Sequence, residues 1–329
     1  MTGGVVFLIS YSEEAIRSSV VLDKQSIACI ETSFTWLYER KAVVPPIMQL
    51  DIPEQNGEVD IKSAYIQGEK SFAIKLSSGF FNNPNRGLPS LSGLMVVLNS
   101  ETGIPETLLL DNGYLTDLRT AAAGAVAAKY LAKKHIDTVC VIGTGTQARL
   151  QIMALYNQRP FKNLLVYGRT RQHQEAYAAV MHSLLPINIK LVDSAREAVL
   201  SADVLITTTS AKQPLVQKAW LHPGLHITAM GSDTEAKQEL EADVVTQADV
   251  IVCDLVTQCS RFGELHHAIE QKKIDSHDSR IHELGELTSG HFVGRQNDQE
   301  ITLCDLTGVG VQDTAIACFA QERLSGCKK

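Results

Sequence analysis

The sequence has little of what would mark it as anything but an ordinary globular protein. Its seven cysteines (Cys29, Cys140, Cys253, Cys259, Cys304, Cys318 and Cys327) are odd in number, scattered, and include no C-x-x-C pair. That pattern argues against a disulfide framework and against a zinc site, so no metal is expected. No apolar run approaches the roughly 20 residues of a membrane helix. The run Val5–Ile9 is too short for a signal peptide and has no basic residue ahead of it; it predicts a buried strand leading into a helix capped within Ser10–Glu14. Basic charge is also short. Lys+Arg total 30 against 37 Asp+Glu, a net charge of −7, so there is no dedicated basic face for a nucleic acid. Low-complexity tracts, charge blocks and internal repeats are absent. A reducing cytoplasm is the expected location, with no membrane or nucleic-acid partner.

What is present is enough apolar material for a full core and about two domains: 329 residues, 44% hydrophobic and 20% charged. Up to residue 118 the chain mixes short strands and turns. Val43–Pro46 reads as extended, Ala73–Leu76 and Leu94–Leu98 as strands, and Asn82–Gly87 between them as turn chemistry. From Arg119 the character changes. Arg119–Ala132 is an alanine-rich helix whose small residues allow close approach. Apolar, β-branched runs then alternate with helical stretches: Thr138–Ile142, Leu164–Tyr167, Ile189–Val192, Val204–Thr207, Ile227–Met230 and Val250–Cys253. Such runs separated by helices predict an α/β fold with a doubly wound, Rossmann-type parallel sheet covered on both faces. Asp313–Gln321 reads as a closing helix.

The clearest chemical signal follows the first of these runs. Gly143-Thr144-Gly145-Thr146-Gln147-Ala148 fits G-x-G-x-x-G/A between a strand and a helix. Gly143 permits the tight turn, Gly145 lets backbone amides approach a pyrophosphate, and Ala148 keeps helix and strand close. The helix N-terminus adds partial positive charge. Thr208, just past the run Val204–Thr207, joins these as a cofactor-binding candidate. The end of the next strand selects the dinucleotide. An acid there would bind the ribose hydroxyl of NAD, but the sequence has Gly168-Arg169-Thr170-Arg171. Two cations and a hydroxyl suit a 2′-phosphate, so NADP is favoured with NAD as the alternative. Gly308-Val309-Gly310 is a second G-x-G without a third small residue opening a helix, and it reads as a turn.

Lys75, Leu118–Ala122, Val141–Ala148, Gly231–Lys237 and Asp305–Asp313 occur in order. This combination resembles the ornithine cyclodeaminase/μ-crystallin family over almost the whole chain. Within it, the sequence is most similar to the cyclodeaminase-like branch of ectoine-utilisation clusters and to the iminosuccinate reductase branch. The resemblance implies a homodimer. It also implies an α/β substrate-binding and dimerisation domain, 1–118 with 313–329, beside a dinucleotide-binding domain, 119–312. The implied chemistry is hydride transfer between nicotinamide and the Cα of a small amino or imino acid. By the same resemblance, Arg119 grips the α-carboxylate, Lys75 stands beside the reacting carbon, Ser90 donates a hydroxyl to the carboxylate, and Asp233 moves the proton at the substrate nitrogen. Lys237, four residues on, is placed to pair with Asp233.

The sequence departs from the family at two positions. Ile47 stands at or near the place of an arginine that many relatives use on the carboxylate. Lys62, thirteen residues before Lys75, replaces the glutamate that receives the distal amine in cyclodeaminases. A cation at that place costs affinity for a diamine acid and gains it for a second carboxylate. Lys62 either takes that second carboxylate or compensates for the missing arginine, with Asp60 beside it. The expected activity is therefore an NAD(P)-dependent imino-acid reductase or amino-acid oxidoreductase, with a dicarboxylic imino acid such as iminosuccinate as a candidate substrate. A cyclodeaminase that recycles its NAD, in ectoine or hydroxyectoine breakdown, is the alternative enzyme. A nucleotide-dependent binding protein is the non-enzymatic one.

Overall fold

The structure, a computed structural model, describes residues 8–326. The chain divides into two compact units. Residues up to Arg119 and from Val309 onward form the first, and Thr120–Gly308 form the second. Arg119 and residues 309–312 thus belong to the first unit, whereas the sequence patterning groups them with the second.

The first unit begins with β1 (Ile9–Ser12), α1 (Glu13–Ser19) and α2 (Lys24–Tyr38). Residues 5–7 of the expected first strand lie outside the described residues. β1 starts at Ile9 and buries only Tyr11. The cap is Ser12, whose hydroxyl accepts the Ala15 N–H at 3.4 Å, with Glu13 and Glu14 in the first turn. Next come β2 (Ala42–Val43), β3 (Met48–Ile52), β4 (Gly57–Ile66), β5 (Ser71–Phe80), β6 (Leu91–Asn99), β7 (Pro105–Leu110) and α3 (Tyr114–Leu131), which runs on into the second unit. Among the described residues these strands make a seven-stranded sheet in the order β1-β7-β6-β5-β4-β2, with β3 also on β4. β1 is parallel to β7 and the other pairs are antiparallel.

Directly opposed residues in an antiparallel sheet share a face, and the faces alternate along each strand. One row therefore reads Lys62, Lys75, Met95, Leu109, and the adjacent row on the other face reads Met48, Ile61, Leu76, Leu94. Met95 and Leu109 are fully buried, while Met48 is 55% and Leu76 38% exposed.

The second unit alternates strands and helices: β8 (Thr138–Ile142), α4 (Thr146–Gln158), β9 (Asn163–Tyr167), α5 (Arg171–Leu184), β10 (Asn188–Leu191), α6 (Ala195–Leu200), β11 (Val204–Thr207), β12 (His226–Ala229), α7 (Ala242–Gln247), β13 (Val250–Cys253), α8 (Val256–Cys259), α9 (Gly263–Glu270), β14 (Ile281–Glu283), α10 (Leu284–Thr288) and β15 (Thr302–Asp305). Every strand pair is parallel, in the order β10-β9-β8-β11-β12-β15-β13-β14. Alternate residues feed opposite core layers. Val139 and Val141 of β8 pack with Ile152 and Met181, whereas Cys140 and Ile142 pack with Leu205 and Ile227. This is the doubly wound, Rossmann-type parallel sheet expected from the apolar runs. The short strands β14 and β15 were not anticipated.

The last helix, α11 (Gly310–Gly326), belongs to the first unit and packs on β4, β5 and β6. It covers the face that carries Ala73 and Lys75, because Thr314 bonds to the Ala73 backbone. No helix among the described residues is long and apolar enough to cross a membrane.

Candidate active site

In the first unit three charged side chains from distant parts of the chain meet out of water. Lys75 of β5 is 2% exposed, Arg119 of α3 7% and Asp313 of α11 1%. Asp313 Oδ1 accepts from Lys75 Nζ at 3.0 Å and from Arg119 Nε at 3.0 Å. Arg119 Nη1 donates to Gln312 Oε1 at 3.5 Å. Burial pulls the Lys75 ammonium down to about 7, with Arg119 and Lys62 adding to the effect and Asp313 opposing it. Burial pushes the Asp313 carboxyl up, yet Lys75, Arg119 and Lys62 hold it below its ordinary value. Asp111, whose Oδ2 accepts the Leu115 N–H at 2.8 Å in the first turn of α3, is pushed up to about 6 by burial.

Local chemistry explains how Asp313 gets there. Gly308 turns the chain at φ +83°, and α11 starts two residues later. A Cβ on Gly310 would sit 2.5 Å from the Ser63 carbonyl oxygen, so only glycine lets the helix start lie against β4. The Thr314 hydroxyl donates to the Ala64 carbonyl at 2.8 Å and accepts from the Ala73 N–H at 3.3 Å, tying α11 to both strands. The second G-x-G is thus a turn, as read from the sequence, but one that opens directly into a helix.

Lys62 lies on β4 directly opposite Lys75, on the same face. Ser90 does not join this row. Its carbonyl accepts from Phe80 N, five residues beyond Lys75 and about 16 Å along the strand at the usual rise per residue. Ile47 lies in the irregular segment before β3.

In the second unit, the strand order reverses between β8 and β11, the switch point at which open α/β sheets place their ligands. The turn Gly143–Gln147 follows β8 and Thr208 follows β11. Gly143 has φ +124°, and a Cβ there would collide with the Thr208 hydroxyl. The Thr208 N–H donates to the Ile142 carbonyl at 2.9 Å. Gly145 is the N-cap of α4, with no side chain capping that helix. A Cβ on Gly145 would meet no protein atom within 4 Å. Packing therefore does not explain this glycine. Open space in front of uncapped helix amides fits the pyrophosphate of a dinucleotide.

Beyond β9, Arg169 is exposed, and Thr170 caps α5 by accepting the His173 N–H at 3.3 Å. Arg171 is engaged by Glu175 at 3.4 Å and Asp193 at 3.5 Å.

Asp233 lies on the loop after β12, at the carboxyl end of the sheet. Its side chain is 49% exposed and takes the Lys237 ammonium at 2.5 Å. No helix starts at Thr234; the segment is a turn closed by Lys237 N to the Thr234 carbonyl. Glu239 anchors this loop. Its carboxylate accepts from Thr207 Oγ1 at 2.7 Å, Thr209 N at 2.5 Å and Gly231 N at 2.8 Å. The sequence reading assigned no role to Asp313, Gln312 or Glu239. The first two stood in a quoted motif, and an acid in the opening turn of a helix after a G-x-G turn was the available signal.

A Rossmann-type unit with an open glycine turn, joined to a mixed-sheet unit with a buried Lys–Asp–Arg cluster, defines a class of two-unit nucleotide-fold proteins. The chain belongs to the ornithine cyclodeaminase/mu-crystallin family, whose profile matches residues 10–328. It is 48% identical over 313 residues to an uncharacterized cyclodeaminase of Sinorhizobium fredii, covering 95% of this chain and 94% of the relative. The Thermococcus litoralis Δ1-pyrroline-2-carboxylate reductase, solved with NADH and L-proline, superimposes with a TM-score of 0.92 at 30% identity, covering 98% of both chains. The Paracoccus denitrificans iminosuccinate reductase, solved with NAD+, gives a TM-score of 0.89 at 28% identity, covering 98% of this chain and 97% of that one.

Proposed function

We propose that this protein is a nicotinamide-dinucleotide-dependent oxidoreductase of small α-imino and α-amino acids, with a dicarboxylic imino acid such as iminosuccinate as its preferred substrate. The observation that carries the reading is the row Lys62–Lys75 beside Arg119 and Asp313. Two lysines directly opposed on one sheet face repel each other. Asp313 offsets one of the three cations, and Asp60, two residues along β4, offsets part of the rest. The remaining positive charge suits an anion with more than one carboxylate. Arg119, held at Nε by Asp313, turns its remaining N–H donors to the α-carboxylate. Lys75 lies beside the reacting carbon, and Lys62 takes the distal carboxylate.

The residues Gly143–Gln147 and Thr208 hold the dinucleotide, which when bound supplies or takes the hydride at the substrate Cα. Asp233 delivers or removes the proton at the substrate nitrogen, so an imine gains one hydride and one proton to become an amine. Positioning and fixed charge provide the rate. NADP is the preferred form, a reading supported by the lack of an acid at the end of β9 and by the exposed Arg169; Arg171 is already paired. The protein works in the cytoplasm as a homodimer built on the apolar row Met48, Ile61, Leu76, Leu94, and a light-scattering mass of a single chain would refute that assembly.

A cyclodeaminase is the second reading, favoured by the name of the 48% identical relative. One assay separates them. Oxaloacetate with ammonium should consume NADPH or NADH stoichiometrically. Ammonia released from ornithine with no net change in the nicotinamide absorbance would overturn the reductase reading.

A further inference from the structure

We propose that Asp313 is a positioning residue: it fixes the Lys75 ammonium and the Arg119 guanidinium side by side and sets how much negative charge the substrate site accepts. This rests on the oxidoreductase reading above. One carboxylate oxygen stands 3.0 Å from both cations, so Lys75 Nζ and Arg119 Nε lie within about 6 Å of each other although both are desolvated. Without an anion between them they would repel at close range in a medium of low dielectric. Asp313 takes only the Nε edge of Arg119, and Gln312 receives one Nη1 hydrogen. The same acid that holds the guanidinium at Nε thereby also orients its remaining N–H donors.

The placement is costly. It needs a glycine at position 310 to press α11 onto Ser63, and Thr314 to tie the helix to Ala64 and Ala73. A buried carboxylate with two buried cations is a poor source of stability compared with an apolar core, so retaining it here points to the site rather than to the fold.

The groups facing Lys75 are Asp313 from α11, Arg119 from α3, Lys62 across β4, and Asp111 before α3; Met95 opposes it on β6. Asp313 is the group that most favours the ammonium. Its removal should therefore lower the Lys75 pKa, leaving the side chain neutral at a pH where the intact protein still carries charge.

The test uses full-length protein labelled with 13C-lysine, the Lys75 Cε resonance being assigned by its absence from Lys75→Arg. In Asp313→Asn this resonance should titrate about one pH unit or more below the wild-type value. The alkaline limb of kcat/KM for NADPH, oxaloacetate and ammonium should move down with it. Asp313→Ser should give the same shift and carries the test if the Asn variant does not fold. An unmoved Lys75 titration in the folded variant overturns the proposal, since a merely structural acid would lower kcat at every pH and leave the limb in place. A shifted titration in a protein whose wild type never consumes nicotinamide keeps Asp313 as the positioning group and overturns the oxidoreductase reading instead.

Discussion

The two units bury ionised chemistry in opposite ways. In the first, Asp313 is matched by Lys75 and Arg119, and the carboxylate stays ionised because cations surround it. In the second, Glu239, Glu264 and Asp305 are buried with backbone amides and the side chains of Thr207 and Thr209 among their hydrogen-bond partners. Glu264 accepts from Glu239 N at 2.8 Å and Leu240 N at 3.0 Å, and Asp305 Oδ2 accepts from Leu265 N at 2.9 Å. Burial pushes all three carboxyls up, Asp305 to about 7. Amide dipoles reach these acids without supplying a net charge, and Asp305 Oδ1 has no hydrogen-bond partner among the described residues, so burial prevails and holds all three carboxyls above their ordinary values. Counter-charge suits a place where ions must be ready for a ligand; acids held by backbone amides suit a place where loops must be held still.

The sharpest consequence is a stability profile in which the two clusters pull in opposite directions. Asp305 keeps its proton in the fold to about pH 7, while the unfolded chain releases it near 3.8. Its contribution is complete below about pH 4 and is lost as pH climbs to about 7. Lys75 has the converse sign. The fold releases its proton near 7 while the unfolded chain holds it to about 10.5, so stability returns as pH rises through that window. Each limb is on the order of a few kcal/mol. Denaturant midpoints measured across this range should pass through a minimum near neutrality. Asp305→Asn should make the acid side shallower, with Glu239 and Glu264 keeping the remainder, and Lys75→Met should make the alkaline side shallower. A profile indifferent to both variants would break the contrast between the clusters.

The second unit was the more legible in sequence, for a physical reason. Each of its central strands is an apolar run buried on both faces, and its glycine turn is local, so Gly143 and Gly145 carry their meaning within six residues. The first unit's site is assembled from positions 62, 75, 119 and 313, and no local pattern states that assembly. Lys62, Lys75 and Arg119 were reached only through resemblance to a family. Asp313 was missed because an acid at the start of a helix is normally a dipole-compensating surface group; here α11 begins earlier, at Gly310, and turns the acid inward. Glu239 was missed for a related reason, since nothing in its neighbours predicts a carboxylate buried under Gly231 and Thr209. Ser90 shows the opposite failure, a spacing along the chain that the strand carries away from the Lys75 row.

The smallest expected effect is the most discriminating. Glu264→Gln replaces a buried acid by its neutral isostere. If burial keeps Glu264 protonated, the change removes no charge. One oxygen remains to accept the Glu239 N–H or the Leu240 N–H, and the new NH2 group faces the other donor. The loss is then one hydrogen bond, about 1–2 kcal/mol in a denaturant titration, with little dependence on pH. Turnover should fall only slightly, because Glu239 still pins Thr209 and Gly231 beside the Asp233 loop. If instead the variant loses several kcal/mol, in the range expected for breaking a buried ion pair, Glu264 is ionised in the folded protein. A cation must then be paired with it, and the distinction between a counter-charged unit and an amide-held one fails at its centre.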